Sequence, residues 1–259
     1  METPAERAKR RKSEVMNSKG EISWWKPQKG YNEIIVFPAV PAWTDKKTKE
    51  KHAMLSECEP RGTHYDAPNG EAVTCPKVTL GKRCYLCDKF QKAKEGIIKG
   101  DKAEEIQQTC KVSTQFLYNV IDKNDPDSGV QVLSASQTVH EPVYSMLYDE
   151  EEYDLSSYGS HFKGLRSIRF KNTGKGALRY KEFKYGKPVG APYNSLINMR
   201  KKLHDVKALA TRYVPSYEET KMAYKGLSLK DKNEREDGDD VGKYLKSKKK
   251  KGKFKKKGD

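Results

Sequence analysis

His64, Cys75, Cys84 and Cys87 stand at the spacing H-x10-C-x8-C-x2-C, and no other group in the chain is so well suited to chemistry. Thiolate sulfur and imidazole nitrogen are the usual donors to zinc, and the Cys84-Tyr85-Leu86-Cys87 knuckle can bring two sulfurs onto one ion. Cys75 and the imidazole complete four ligands, so no position stays open for a substrate or an activated water. The spacing predicts one structural Zn2+. A set in which Cys58 replaces His64 is the alternative, and iron could occupy such ligands too.

Nothing else reads as reaction chemistry. His52, His140, His161 and His204 lack a Ser/His/Asp grouping, an H-E-x-x-H or a phosphate-cradling glycine loop. A zinc deaminase would carry H-x-E ahead of P-C-x-x-C, whereas His64-Tyr65-Asp66 has aspartate there and Arg83 precedes Cys84. The expectation is a protein that is not an enzyme. Five cysteines, an odd number with no signal peptide ahead of them, argue for metal-bound thiolates in a reducing compartment, with Cys58 and Cys110 as buried free thiols.

The 259 residues carry a net charge of +16, from 52 Lys+Arg against 36 Asp+Glu. Such a field selects polyanions. No apolar run approaches the roughly 18 residues needed to cross a membrane, so no membrane partner is expected. Residues 1–20 hold six basic and three acidic side chains; 231–241 hold six acids, and 243–257 hold ten lysines. Neither end can bury enough apolar surface to offset chain entropy, so 1–20 and 227–259 are expected to be disordered arms around a folded 21–226.

Strands must position the metal ligands. Glu33-Ile34-Ile35-Val36-Phe37 is a short apolar run closed by Pro38 and Pro41. Val112, Thr114, Phe116, Tyr118 and Val120 alternate with polar residues, the period of a half-buried strand, with Phe116 and Tyr118 as core. The turn Asn124-Asp125-Pro126-Asp127-Ser128-Gly129 leads to a returning strand at 130–133. A second hairpin is expected from 166–171 and 177–185 around Asn172-Thr173-Gly174-Lys175-Gly176. Helices are expected at 88–99 and 103–109, at 141–147 with Pro142 in first position, at 194–206, and after the capping box Ser216-Tyr217-Glu218-Glu219. The fold class is mainly β with helical insertions (α+β): an OB-fold barrel core with an inserted zinc-binding subdomain at about 52–110.

Strict alternation along the second hairpin puts Ile168 and Phe170 on one face and Arg169 and Lys171 on the other. In its partner, Arg179, Lys181, Phe183 and Tyr185 alternate away from Leu178 and Tyr180. Rings and cations would then share a surface, where bases stack and phosphates release counterions. Arg166, Arg169, Lys171, Lys175, Arg179, Lys181, Phe183 and Tyr185 are therefore the expected nucleic-acid contacts. Trp24 and Trp25, next to Lys26 and Lys29, could stack on bases or pack the end of the barrel, and packing is the expectation. The acidic run Asp149 to Glu152 with Asp154 could hold a hard cation, and a solvated loop is the expectation.

These features together resemble the tailed-phage single-stranded DNA-binding proteins of the zinc-containing, helix-destabilising family. Trp25-Lys26-Pro27-Gln28-Lys29-Gly30-Tyr31-Asn32-Glu33-Ile34-Ile35-Val36-Phe37-Pro38 is similar to the family's opening segment, and His64, Cys75, Cys84 and Cys87 to its zinc loop. Phe116-Leu117-Tyr118-Asn119-Val120 resembles the strand after the zinc subdomain, and Val214-Pro215-Ser216-Tyr217-Glu218-Glu219 the closing segment. Arg10-Arg11-Lys12-Ser13 is similar to the basic motif that docks onto a neighbouring protomer, although Glu14 stands where a second hydroxyl residue belongs. The resemblance implies sequence-independent, cooperative coating of single-stranded DNA in phage replication, recombination and repair. It also implies a phage polymerase, helicase or recombinase as partner, and the cytoplasm of an infected bacterium as location. The chain departs from the family where an acidic tail would end it: the acids at 231–240 give way to lysines. The rival reading is a zinc-containing regulator that reads duplex DNA with the helix after Cys87.

Overall fold

The computed structural model describes residues 22–40, 42–44, 49, 51–149, 165–174, 179–190, 199 and 201–229. The arm at 1–20 with Arg10, Arg11, Lys12 and Ser13, the tail from 230 onward, Lys175, and most of the helix expected at 194–206 lie outside them.

The described residues form a mixed α/β structure around one large sheet. Its strands are β1 (Trp24–Trp25), β2 (Gly30–Val36), β5 (Cys58–His64), β6 (Val73–Thr74), β7 (Ser113–Asp122), β8 (Gln131–Ser136), β9 (Arg166–Asn172) and β10 (Tyr180–Pro188). A separate pair joins β3 (Trp43–Thr44) to β4 (Lys51–His52). Neighbours run β1-β8-β7-β2-β9-β10, with β5 joined to β7 and β6. Along one edge β7 pairs first with β5, from Ser113 to Tyr118, then with β2, from Val120 to Asp122; β8 takes the other edge. One long strand therefore ties the segment that carries His64 to the rest of the sheet.

Both expected hairpins form, β7 with β8 and β9 with β10. The closed barrel expected from the sequence is not seen among the described residues: the path there ends on β1 and β10, which are not partners, so the described sheet is open. Alternation specifies a strand and its faces, whereas closure depends on which distant edges meet. At one end that edge is a two-residue strand lying parallel to β8.

The helices are α1 (Pro76–Leu80), α2 (Tyr85–Lys94), α3 (Asp101–Thr109), α4 (Gln137–Leu147), α5 (Val206–Thr211) and α6 (Tyr217–Tyr224). Helix α4 begins at Gln137, so Pro142 is an interior residue and not the first. Val139, Val143 and Leu147 lie four apart on one face and bury it against Ile34, Val36, Tyr118, Ile168 and Phe170 of the sheet. That burial outweighs the backbone hydrogen bond lost at proline. Residues 201 and 202 form a turn, and the helix after them starts at Val206, where the Asp205 carboxylate accepts from the Ala208 amide at 2.9 Å. The capping box at Ser216 and Glu219 forms as expected. Packing continues past 226: Leu227 is buried, and the Glu71 carboxylate accepts from the Ser228 hydroxyl and the Leu229 amide.

Tyr118 is fully buried and Phe116 packs beside it, as their alternation predicts. Of the tryptophan pair, Trp25 is buried against Phe170 and donates to Asp122 at 2.8 Å, while Trp24 is exposed. Asp149 alone of the acidic run falls among the described residues, and it accepts from the Tyr185 hydroxyl.

Candidate metal centre and basic sheet face

His64 ends β5, and the short β6 pairs with it so that Val73 lies across from His64. The next residue but one, Cys75, donates its amide to the Gly62 carbonyl at 2.8 Å and opens α1. Gly62 is needed for this approach. A Cβ there would sit 2.6 Å from the Cβ of Val78 and 2.9 Å from that of Cys75. Gly81, at φ 67°, ends α1 and turns the chain toward Cys84, the N-cap of α2; Cys87 lies in the first turn of that helix.

The four ligand atoms converge within 4.8 Å of one another. Cys75 Sγ lies 3.4 Å from Cys87 Sγ, and His64 Nε2 lies 3.4 Å from Cys84 Sγ and 3.7 Å from Cys87 Sγ. A tetrahedral ion with the bond lengths usual for zinc would hold two sulfurs about 3.8 Å apart and sulfur from nitrogen about 3.5 Å apart. The donor set therefore fits one such ion. Its remaining requirement is a histidine tautomer that offers Nε2, and the structure supplies it: His64 Nδ1 lies 2.9 Å from the Cys110 carbonyl, which accepts its proton.

Electrostatics favour a cation at the same point. Burial disfavours a charged imidazole, yet hydrogen bonds with Cys75 and Cys84 outweigh it and raise the pKa of His64 to about 9. Hydrogen bonds from Cys84 and Cys87 draw the Cys75 thiol far below its ordinary range, while hydrogen bonding with the crowded sulfurs of Cys75 and Cys84 pushes Cys87 above it. A bound cation would relieve that crowding by ionising all three thiols.

Cys58 is not among these ligands. It lies on the far end of β5 opposite Tyr118, packed against a different core, and burial raises its thiol to about 11. Cys110 is likewise a buried thiol raised to about 11 by burial; its part in the centre is played by its carbonyl. Sequence reasoning expected α6 after its capping box but missed that it docks on the helix carrying Cys87, more than 120 residues earlier. There Thr220 accepts from the Tyr85 amide at 3.0 Å, and Tyr217 and Tyr224 meet Tyr85 edge-on. Only the capping box hinted at that helix, and it says nothing of where the helix docks.

The second candidate region is the outer end of β2, β9 and β10. Pairing aligns Tyr31 with Lys171 and Lys171 with Lys181, a row across three strands. The next row aligns Glu33, Arg169 and Lys184. Tyr31 is 54 % exposed, with Lys171 Nζ 5.1 Å and Arg169 Cζ 6.0 Å from its ring centre. The structure thus brings Arg169, Lys171 and Lys181 onto one face with an aromatic ring. The ring is Tyr31, a residue not among the expected contacts.

Phe183 does not share that face. It stacks on the buried Phe170 with centroids 5.1 Å apart, and Tyr180 meets the same ring edge-on. A bulge causes the difference: the register slips between Lys181 and Lys184, and Glu182 adopts φ 59°. One extra residue reverses the alternation, so Phe183 turns to the core and Lys184 falls level with Arg169. Tyr185 is half-buried, its hydroxyl donating to the Met146 carbonyl and to Asp149. Arg166 lies over the Tyr185 ring and donates to the Gly186 carbonyl, and Arg179 lies over Tyr180. These two cations are set apart from the aligned rows.

Among the described residues no helix is long and apolar enough to cross a membrane. No protein-family model matches the chain, and comparison with curated proteins gave no match.

Proposed function

We propose that this protein binds single-stranded DNA with little sequence preference, coating and protecting it during phage DNA replication, recombination and repair. The observation that supports this most strongly is the aligned pair of rows, Tyr31-Lys171-Lys181 and Glu33-Arg169-Lys184, on an open sheet of a chain with net charge +16. A flat exposed ring offers a stacking surface to any base, and lysines beside it release counterions from the backbone. Unpaired strands are favoured because only they can lay a base on Tyr31. The action is passive, with no turnover.

In this reading the ion is Zn2+, matched by three sulfurs and one nitrogen, and its role is structural because four protein donors leave no open position. It clips the segment at about 52–110 onto an OB-type core spanning 21–226. The motif Arg10-Arg11-Lys12-Ser13 then gives self-association along DNA, with a phage polymerase, helicase or recombinase as partner in the host cytoplasm.

The rival duplex reader needs α2 free to enter a groove. Its Lys89 lies over Tyr85 and Tyr224, and its Asp88 accepts from Arg83 and Tyr217, so this part of the helix is engaged in holding α6. Anisotropy of labelled oligo(dT), titrated with protein and competed with duplex of equal length, separates the two. The expected result is preference for oligo(dT), with log affinity falling against log salt by about 0.7 for each phosphate neutralised. Preference for the duplex, or a flat salt response, would overturn the proposal.

A further inference from the structure

The bulge that turns Phe183 inward also sets Glu182 in the left-handed region, at φ 59°, where a glutamate is strained. Its carboxylate crosses from β10 to β2. One oxygen accepts from the Tyr31 hydroxyl at 2.8 Å; the other lies 3.6 Å from Lys171 Nζ and 4.0 Å from Lys181 Nζ. The acid therefore lies across the whole Tyr31-Lys171-Lys181 row. Three donors converge on the two oxygens of one exposed, singly charged acceptor, the arrangement a phosphodiester oxygen pair would also satisfy.

We propose that Glu182 is an intramolecular stand-in for phosphate, closing the Tyr31-Lys171-Lys181 row in the free protein and yielding it to the DNA backbone. The proposal rests on the single-stranded DNA reading above and names the regulation of that same face. Exposed ion pairs of this kind are weak, so a phosphate can displace the carboxylate at small cost. The Tyr31 hydroxyl, and secondarily Lys171 and Lys181, hold Glu182 ionised below the ordinary carboxylate range, so the competitor is fully charged at neutral pH. Displacement would release Tyr31 for stacking at the moment both lysines meet the backbone. Affinity is thereby kept below what the bare cations would give, which leaves the protein able to leave the strand.

The test compares the full-length chain with Glu182→Gln, which keeps an acceptor for Tyr31 and removes the charge. Glu218→Gln serves as control: it removes a more exposed acid, paired with Lys221 on α6, away from this face. Oligo(dT) anisotropy should show about three- to tenfold tighter binding for Glu182→Gln and under twofold change for Glu218→Gln. The salt slope should steepen by about 0.7 to 1.4, one to two phosphates' worth of counterions. In a Lys171→Ala/Lys181→Ala background, Glu182→Gln should change affinity by less than about twofold, because coupled partners are not additive. Equal affinity of wild type and Glu182→Gln, with both binding tightly, overturns the stand-in and leaves the DNA reading intact. An equal gain from Glu218→Gln, or a gain that survives loss of the lysines, reduces the effect to net charge and overturns it too. Failure of both proteins to bind oligo(dT) overturns both readings.

Discussion

The corner around His64 and the face around Tyr31 handle charge in opposite ways. In the corner, four ligand groups are buried together, held by the end of β5, the start of α1 and the first turn of α2, and one missing partner leaves an uncompensated charge in the interior. On the face, Lys171, Lys181 and Glu182 meet in solvent, where rearranging a pair changes little. Burial makes the first region a determinant of the fold. Exposure leaves the second free to exchange partners, as binding demands.

Removing the metal should break this comparison most severely, since structural zinc contributes on the order of 10 kcal/mol to the folding of small domains. Cys87→Ala, or chelation of the wild type, should abolish stoichiometric metal by elemental analysis and lower the melting temperature by more than about 10 °C. At low temperature the β2, β9 and β10 face should still bind oligo(dT), because its core is built from Ile34, Ile168 and Phe170. Unchanged metal content would remove Cys87 from the ligand set.

Two aromatic substitutions sharpen the division. Phe183→Ala should cost about 1–3 kcal/mol in denaturant unfolding, through its lost stack on Phe170, with affinity for oligo(dT) preserved within about twofold. Tyr31→Ala should do the reverse: stability within about 0.5 kcal/mol of wild type, and affinity reduced by about 1–3 kcal/mol. If Phe183→Ala weakened binding without destabilising the protein, the ring would belong to the interface after all.

How much of this was legible in the sequence differs between the regions in the same way. Cysteine and histidine spacing advertises a ligand set because the chemistry of the ion restricts which residues serve. The capping box at Ser216 and the alternation through Phe116 and Tyr118 were equally local and equally readable. Four features were not. The bulge at Glu182 carries no glycine to mark it, so period-two reading ran through it and sent Phe183 to the wrong face. Pro142 suggested a helix start, yet the apolar spacing of Val139, Val143 and Leu147 carried the helix through it. The docking of α6 on Tyr85 and the failure of β1 to meet β10 depend on distant contacts that no window of sequence contains.

The smallest effect concerns the two thiols outside the centre. Cys58 and Cys110 are held protonated by burial, with pKa values of about 11 against 9.0 when unperturbed. Folding therefore binds protons more tightly than the unfolded chain above pH 9. The stability they confer is complete below pH 9 and is lost as pH rises toward 11, on the order of 1 kcal/mol by pH 9.5. Urea melts at pH 8.0 and 9.5 should show this loss, and it should shrink in the Cys58→Ser variant. Both thiols should resist iodoacetamide in the native protein at pH 8.

Hydrogen exchange with and without oligo(dT), read by mass spectrometry on the metal-loaded protein, addresses both regions at once. New protection should fall on peptides covering 30–33, 169–171 and 181–184, with the already slow amides around 84–94 unchanged. Protection confined to α2 and the metal corner, with the Tyr31 face exchanging as before, would contradict the assignment of binding to the sheet.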